Sequence, residues 1–408
     1  MNKILSLFWA VGRRPAVALA ILAVVLLVLW LQTDQRAHRP QGYDLTSYLL
    51  SARALESGEN PYQTGSHFPY IYPLFFAFAM IPLASLPCEL ANFLWFALGA
   101  ASLAAGCLTL VRLASDELKT TVGWHLAWPC LALFLVLLLP IQSNLLNGQV
   151  NLLVVFCCIL FLREFMHDHD VPAAVWLAAA IAIKLLPAVL LLFVVMRRRW
   201  RVLSWTCAAA VVFCLLPGLV VGKNLFALYE HYFHAFLMPS FLDPGPHDDR
   251  MFFGLRGTIL YLLPGAATSL WPKLLGLLTA LGVMLTVDVA SKSSERPQRD
   301  VWPFCAYLLG SLLASPAAEM HHLMFAAPAV ALVGLKLCFD RDWATPAVWL
   351  GAGAFLTCFC VLGNSYSTTP TYFASLIVLA ILLLRAARPS RPVAAERFQP
   401  HPCNAESA

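Results

Sequence analysis

The stretch 16-AVALAILAVVLLVLWLQ-32 holds no charged side chain, and as a helix it is long enough to cross most of a hydrocarbon core of roughly 30 Å. A second run, 345-TPAVWLGAGAFLTCFCVLG-363, has the same character. Only 12% of the 408 residues are charged, against about 25% in soluble globular proteins. Runs of this length are too long for strands, and a helix satisfies its own backbone polar groups inside a bilayer. The sequence therefore predicts an all-α polytopic membrane protein.

Basic residues cluster beside the apolar runs, at Arg13-Arg14, 197-RRRWR-201, 292-KSSERPQR-299 and in the tail after Arg385. Such clusters mark the cytoplasmic loops of membrane proteins. Because each cluster adjoins an apolar run, a nucleic-acid-binding patch is disfavoured and no nucleic-acid partner is predicted.

The outer loops are predicted by counting crossings from both ends of the chain. Counting from the N-terminus places a first loop, 33–69, on the extracytoplasmic side. Counting back from the basic tail places a second large loop, 223–256, and the segment 315-SPAAEMHH-322 on that same side. We predict one integral membrane domain over residues 1–388 and a cytoplasmic, disordered tail over 389–408.

The middle of the chain, 70–196, allows two arrangements. Five full crossings give about 12 spans in total and place 141-IQSNLLNGQVN-151 in the cytoplasm. Three crossings give about 10 spans, place 141–151 outside, and make 172–196 a helix pair broken at 184-KLLP-187. The second arrangement is favoured because Arg112 and Lys119 are then cytoplasmic.

The first outer loop contains an amphipathic helix. From Asp44 to Glu56 its apolar residues recur at spacings of three and four, at Leu45, Tyr48, Leu49, Ala52 and Leu55. Gly58 follows where such a helix should end. Two interpretations are open for Asp44, which either caps an interfacial helix lying in the headgroup plane or serves catalysis.

Three further segments carry polar or aromatic side chains between apolar runs. The segment 68-FPYIYPLFF-76 is either an interfacial aromatic belt or a wall that stacks on a sugar or lines a lipid chain. The amides of 144-NLLNGQVN-151 either cap a helix or bind sugar hydroxyls. Lys184 lies in the middle of an apolar run, where an ammonium is costly unless it meets water, a partner or an anion, and a phosphate is its natural ligand.

The paired histidines of 315-SPAAEMHHLMFAAPAV-330 lie near one acid, Glu319. Neighbouring residues on a helix diverge by about 100°, so His321 and His322 are poorly placed to share one metal ion. Binding of a phosphate or a hydroxyl is the better interpretation. The outer stretch 243-DPGPHDDRMFFGLRG-257 could hold a metal, select an acceptor or be a solvated loop.

The order of these motifs resembles that of glycosyltransferase family 87. An Asp-containing first outer loop ends in Gly-x-Asn-Pro-Tyr, and N-G-Q-V-N-L, K-L-L-P and S-P with H-H follow in order over about residues 40–330. The resemblance implies a GT-C fold with about 10–12 transmembrane helices plus interfacial or re-entrant helices. It also implies a polyprenyl-phosphate mannose donor and a lipid-linked or glycan acceptor.

Residue by residue, the resemblance places the general base at Asp44, the Gly-Gln pair at Gly148-Gln149, and the Lys of K-x-x-P at Lys184. It places the paired histidines at His321 and His322. The residues that we predict to bind the donor phosphate and sugar are Lys184, His321, His322, Gln149 and Asn147, together with Tyr43, Tyr62 and Tyr72. One departure concerns the histidine motif, which in the family commonly reads S-P-x-S-W-(D/E)-H-H. Here Met320 stands immediately before the histidines, and this puts the acceptor and the exact sugar in question more than the reaction type.

The chemistry of such a donor needs few acid–base groups. A lipid phosphate is already a good leaving group, so one carboxylate that takes the acceptor proton suffices, and direct attack inverts the anomeric centre. No metal or other cofactor is predicted. The predicted location is the inner (plasma) membrane, surrounded by its lipids, with the active site on the extracytoplasmic face. The alternatives are a secondary transporter or flippase, or a ligase using polyprenyl-diphosphate-linked glycans.

Overall fold

The computed structural model describes residues 15–118, 127–239, 252–263, 265–266, 269–294, 298–315, 317–340, 343–362 and 369–388. The predictions for Arg13-Arg14, for Lys119, for the tail 389–408 and for most of 243–257 lie outside these residues.

The described residues form helices and no β-strand. The α-helices are α1 Pro15–Ala37, α2 Asp44–Glu56, α3 Leu74–Ala84, α4 Cys88–Leu118, α5 Ala127–Val136, α6 Leu138–Asn147, α7 Asn151–Met166, α8 Asp170–Ile183, α9 Val189–Met196, α10 Trp200–Leu215, α11 Gly218–Val221, α12 Leu225–Tyr232, α13 Leu255–Leu262, α14 Trp271–Ser291, α15 Gln298–Ala314, α16 Ala327–Phe339, α17 Pro346–Leu356 and α18 Thr369–Ala387. Short 3₁₀ helices cover Leu186–Ala188, Gly222–Asn224 and Met320–Ala326, and π-helical turns cover Phe233–Leu237 and Thr357–Leu362.

Six helical segments of the described chain are long and apolar enough to cross a membrane, which confirms the predicted all-α membrane fold. They are Pro15–Ala37, Cys88–Leu113, Trp200–Leu237, Trp271–Ser291, Met320–Cys338 and Thr369–Ala387. A bent pair, α5 and α6, makes a seventh, and four shorter apolar helices accompany them. Breaks divide several apolar runs of the described chain, and the total of about 10–12 transmembrane helices stays a prediction. The helical segment from Trp200 also continues to Leu237, into the predicted outer loop 223–256.

Helix α15 lies at the centre of the fold. Every residue from 301 to 313 is buried, because α9, α14, α16 and α18 all pack against this helix. Helix α1, by contrast, keeps most of its apolar side chains exposed, as expected for a helix that faces lipid.

The break predicted in 172–196 is present. Helix α8 ends at Ile183, Lys184 is extended with φ −150° and ψ 132°, and Pro187 lies in a 3₁₀ turn that leads into α9. Proline has no N–H to donate and its ring clashes with the preceding turn, so Pro187 favours a break at this point. The break brings the Lys184 side chain into contact with other polar groups of the protein.

Helix α2 has the predicted bounds and buries the predicted apolar face. It ends as expected, with Gly58 at φ +79° and the Glu59 N–H bonded to the Ala54 carbonyl oxygen at 2.7 Å. Eight of the 13 residues, including Ser47 and Ser51, are buried within the protein. The apolar face of α2 therefore packs on other parts of the protein, and its position relative to the headgroup plane stays a prediction.

Asp44 is not the N-cap of α2. Tyr43 occupies that position with extended backbone, and its N–H donates to Oγ1 of Thr46 at 3.2 Å. Asp44 is the first helical residue. The N-cap prediction is therefore wrong, and the carboxylate of Asp44 is available for another partner.

At the cluster 197-RRRWR-201, Arg197 forms two buried ion pairs. Its Nη1 lies 2.7 Å from Asp288 Oδ1 and its Nε lies 2.8 Å from Asp300 Oδ1, and both carboxylate side chains are 1% exposed. Arg198, the next residue, is exposed. The positive charge at this position thus holds α9, α14 and α15 together.

We expect Arg197→Gln to destabilise the protein by about 3–5 kcal/mol, because it removes this cation from two buried carboxylates. Thermal unfolding in detergent, followed by tryptophan fluorescence, measures the effect. Arg198→Gln is the matched control and should melt like the wild type. Equal melting temperatures for the two variants would show that the buried pairs do not contribute to stability.

Candidate active site

The carboxylate of Asp44 bonds to a residue far away in the sequence. Its Oδ2 accepts a hydrogen bond from Nε2 of Gln149 at 2.7 Å. The orientation of this amide is fixed from its other end, because the Tyr72 hydroxyl donates to Oε1 at 3.0 Å and the Tyr48 hydroxyl lies 3.3 Å away. Gln149 therefore holds Asp44 with its donor nitrogen and is itself held by two tyrosines.

A glycine turn brings Gln149 to this position. Gly148 ends α6 with φ +64°, and its carbonyl oxygen accepts the indole N–H of Trp95 at 2.8 Å. A Cβ at Gly148 would lie 2.7 Å from Cε2 of Tyr43 and 2.9 Å from Cβ of Leu45. Only glycine combines this backbone conformation with such a close approach to the start of α2.

Burial raises the pKa of Asp44 to about 6, and the effect is opposed by the hydrogen bond from Gln149, by Lys184 in its protonated form and by the charge of Arg36. Such a carboxylate is largely ionised at neutral pH and is more basic than an exposed one. These are the properties of a general base.

Lys184 lies between two other motifs. Its Nζ is 2.8 Å from Oδ1 of Asn151 and 2.9 Å from Nε2 of His322, and it lies 5.4 Å from the centre of the Tyr72 ring. The break after α8 makes this contact possible, because the extended backbone at Lys184 lets its side chain reach Asn151 and His322. The K-L-L-P, N-G-Q-V-N and H-H motifs thus meet at one lysine.

The other histidine of the pair, His321, and the nearby acid, Glu319, complete the cluster. The rings of His321 and His322 are 4.2 Å apart, and Nδ1 of His321 lies 3.6 Å from Oε2 of Glu319. Burial raises the pKa of Glu319, and the nearby negative charge of Asp44 raises it further. Asp44, Lys184 and the histidine pair therefore share one electrostatic site.

The other predicted residues have mainly protein partners. The Tyr43 hydroxyl donates to Oδ1 of Asn92 at 2.8 Å, and the Tyr62 hydroxyl donates to the Tyr72 carbonyl oxygen at 3.3 Å. Asn147 accepts a hydrogen bond from the guanidinium of Arg36. These three side chains are thus held by hydrogen bonds to other protein groups.

Sequence reasoning did not assign Arg36, Tyr48 or Asn151 to the site. Arg36 lies at the end of the first apolar run, where a basic residue is typical of the flank of a membrane-spanning helix. Tyr48 belongs to the apolar stripe of α2, so the pattern predicted that it is buried and did not predict the contact of its hydroxyl with Gln149. Asn151 was part of the polar segment 144–151, and that segment was the available signal.

Two contacts bring three of the predicted outer segments together. Asn144 Nδ2 donates to the His321 carbonyl oxygen at 2.9 Å, and Gln149 contacts Asp44. The segment 141–151, the predicted first outer loop and the histidine pair therefore lie together. The number of crossings between 70 and 196 stays a prediction. In the described part of the chain, no three His, Cys, Asp or Glu side chains are grouped as metal ligands.

Comparison with known proteins gives a consistent result. The family model described as glycosyltransferase family 87 matches residues 70–316. A Mycobacterium tuberculosis protein is 28% identical over 330 residues, which cover 73% of this chain and 71% of the relative. A Mycolicibacterium smegmatis protein is 31% identical over 373 residues, covering 85% and 82%. Both relatives are described as polyprenol-phosphate-mannose-dependent α-(1-2)-phosphatidylinositol mannoside mannosyltransferases.

Proposed function

The chain belongs to glycosyltransferase family 87, and from this premise we propose that it transfers mannose from a polyprenyl-monophosphate donor to a hydroxyl of a glycolipid acceptor. The observation that carries the proposal is the single cluster of Asp44, Lys184 and His322. A carboxylate that can take a proton lies in the same site as the groups that suit a phosphate.

In the proposed reaction, the acceptor hydroxyl oxygen attacks the anomeric carbon of the donor sugar. Its proton goes to Asp44 as the new carbon–oxygen bond forms. The bond between the anomeric carbon and the phosphate oxygen breaks, and its electron pair stays on the phosphate, which gains one negative charge. Attack opposite the leaving group inverts the anomeric centre.

The protein stabilises this charge with groups already in place. Lys184 and His322 lie where N–H donors can meet phosphate oxygens, and a preorganised donor of this kind contributes about 2.7–4 kcal/mol to transition-state stabilisation. Gln149 positions Asp44 by its amide nitrogen. The prediction that Gln149 and Asn147 bind sugar hydroxyls stays a prediction, and we propose the positioning role for Gln149 in addition.

We further propose that the site lies on the extracytoplasmic face of the inner membrane. The clusters of basic residues and the crossing counts from both ends support this orientation. The acceptor is proposed to be a phosphatidylinositol mannoside-type glycolipid, by analogy with the relatives.

Purified protein in lipid nanodiscs tests the function directly. It would be incubated with polyprenyl-phosphate mannose and a phosphatidylinositol mannoside acceptor, and products would be identified by mass spectrometry. We expect a new α-mannosylated glycolipid from this donor. Transfer only from a polyprenyl-diphosphate-linked glycan, or flipping of the donor without transfer, would refute the proposal.

The pKa of Asp44 predicts the pH dependence of this reaction. Because the base must be ionised, kcat/KM should fall about tenfold per pH unit as pH drops below about 6. Gln149→Leu removes the hydrogen bond that lowers the pKa of Asp44, so the acid limb should move to higher pH. Gln142→Leu, which removes only a 3.4 Å contact with Gln32, should keep the wild-type limb. An acid limb that does not move in Gln149→Leu would show that Asp44 does not control it.

A further inference from the structure

The amide of Asn144 fixes the direction of a chain of hydrogen bonds. Its Nδ2 donates to two backbone carbonyl oxygens, those of Pro140 at 2.8 Å and His321 at 2.9 Å. Carbonyl oxygens only accept, so Oδ1 of Asn144 must be the atom that faces Asn151. Asn151 therefore presents its Nδ2 to Asn144 at 3.0 Å and its Oδ1 to Lys184 at 2.8 Å. Lys184 is consequently a donor towards Asn151.

A second fixed donor lies on the other side of Lys184. The backbone N–H of Glu319 donates to Nδ1 of His322 at 3.0 Å. A backbone N–H can only donate, so Nδ1 carries a lone pair and the neutral ring holds its proton on Nε2. That Nε2–H points at Nζ of Lys184 across 2.9 Å.

These two constraints determine the protonation of the pair. An ammonium has three donors and no acceptor, so it cannot accept the Nε2–H of His322. A neutral amine can, because it accepts from His322 with its lone pair and donates to Asn151 with one N–H. The geometry therefore matches an uncharged Lys184 facing an uncharged His322, and this also avoids an ammonium at membrane depth.

We propose that the Asn144–Asn151 amide pair keeps Lys184 and His322 both uncharged before the donor binds. A polyprenyl phosphodiester then binds there together with one proton taken up from solvent. The phosphate monoanion converts Lys184 to an ammonium, and the Nε2–H of His322 turns from Nζ to a phosphate oxygen. The identity of the ligand rests on the proposed function, whereas the proton count rests on the hydrogen bonds above.

Other titratable groups near Lys184 affect the same proton count. They are the carboxyl groups of Asp44 and Glu319, the ring of His321 and the hydroxyl and ring of Tyr72. Either carboxyl group could also take up a proton when an anion arrives, so the experiment must separate them from Lys184. An ammonium formed on donor binding would in turn favour the ionised form of Asp44, the form that can act as base.

Calorimetric titration of the donor measures the proton uptake. Asp44→Asn protein would be titrated with a short-chain polyprenyl-phosphate mannose in detergent, in buffers that differ in ionisation enthalpy. This background cannot use Asp44 to bind a proton, and with no acceptor present the donor is not consumed by transfer. We expect uptake of about one proton, with donor affinity rising about tenfold for each pH unit lowered while the free lysine is neutral. Adding Glu319→Gln or His321→Gln should leave the proton count unchanged.

Two further variants test the pair itself. In His322→Gln the side-chain oxygen can accept from an ammonium, so Lys184 should be charged before the donor binds and the uptake should fall to near zero. In Lys184→Gln the site has no amine to protonate, and the uptake should likewise disappear. Saturable binding without proton uptake in the Asp44→Asn protein, or full uptake in both pair variants, would overturn the inference. Failure to bind this donor at all would instead refute the proposed function.

Discussion

Asp44→Asn is expected to lower kcat for mannosyl transfer by about 10²- to 10⁴-fold, the usual contribution of a general base. Asparagine has nearly the same shape but cannot take the acceptor proton. The Asp44 carboxylate already accepts a hydrogen bond from Nε2 of Gln149 at 2.7 Å, and the asparagine oxygen can accept the same bond. The fold should therefore be kept. Steady-state rates of purified protein with saturating donor and acceptor measure the change.

Glu56→Gln provides the matched control for this prediction. It makes the same chemical change at the exposed end of the same helix, and it should retain the wild-type rate. Donor binding by Asp44→Asn should also persist, because the lysine and histidines remain. If Asp44→Asn is folded and turns over at a rate close to the wild type, another group accepts the proton.

Lys184→Gln is expected to raise KM for the donor and to lower kcat/KM by about 10²- to 10³-fold, as the loss of a preorganised group at a developing charge does. Glutamine can still bond to Asn151 and His322, so the local contacts are kept while the positive charge of the bound state is lost. Because the charge on the phosphate grows as the sugar leaves, kcat should fall as well.

The control for Lys184→Gln is Lys292→Gln, which removes a charge from an exposed residue just after α14. It should leave both kinetic constants unchanged. A Lys184→Gln variant whose KM for the donor and kcat match the wild type would exclude Lys184 from phosphate binding. A fall in kcat alone, with donor affinity intact, would restrict its role to the transition state.

The amino-acid sequence sufficed for features that depend on local chemistry. The apolar runs require helices in a bilayer, because backbone groups there must be bonded within the segment. The spacing of Leu45 to Leu55 and the position of Gly58 gave the bounds of α2, since helical periodicity and the C-terminal glycine act over a few residues. The break at Lys184 followed from Pro187 for the same reason. The motif order was enough to identify the family.

Longer-range features were not accessible in this way. Hydropathy measures apolarity and does not show where a run bends, as between α5 and α6 at 71°. The N-cap prediction for Asp44 was wrong because a local rule assigned the carboxylate to its own helix. Its partner, Gln149, is 105 positions away in the sequence.

The sequence by itself determined that this is a helical membrane protein of this family, with Asp44 on a helix after its first apolar run, a lysine at a helix break and a pair of histidines. The tertiary structure alone decided that these groups meet, and which atoms of each face one another. The physical reason is that residue type fixes what a side chain can donate or accept, whereas the direction of each bond depends on partners brought in by packing. At Lys184 the partners are an amide oriented by Asn144 and an imidazole oriented by the backbone of Glu319.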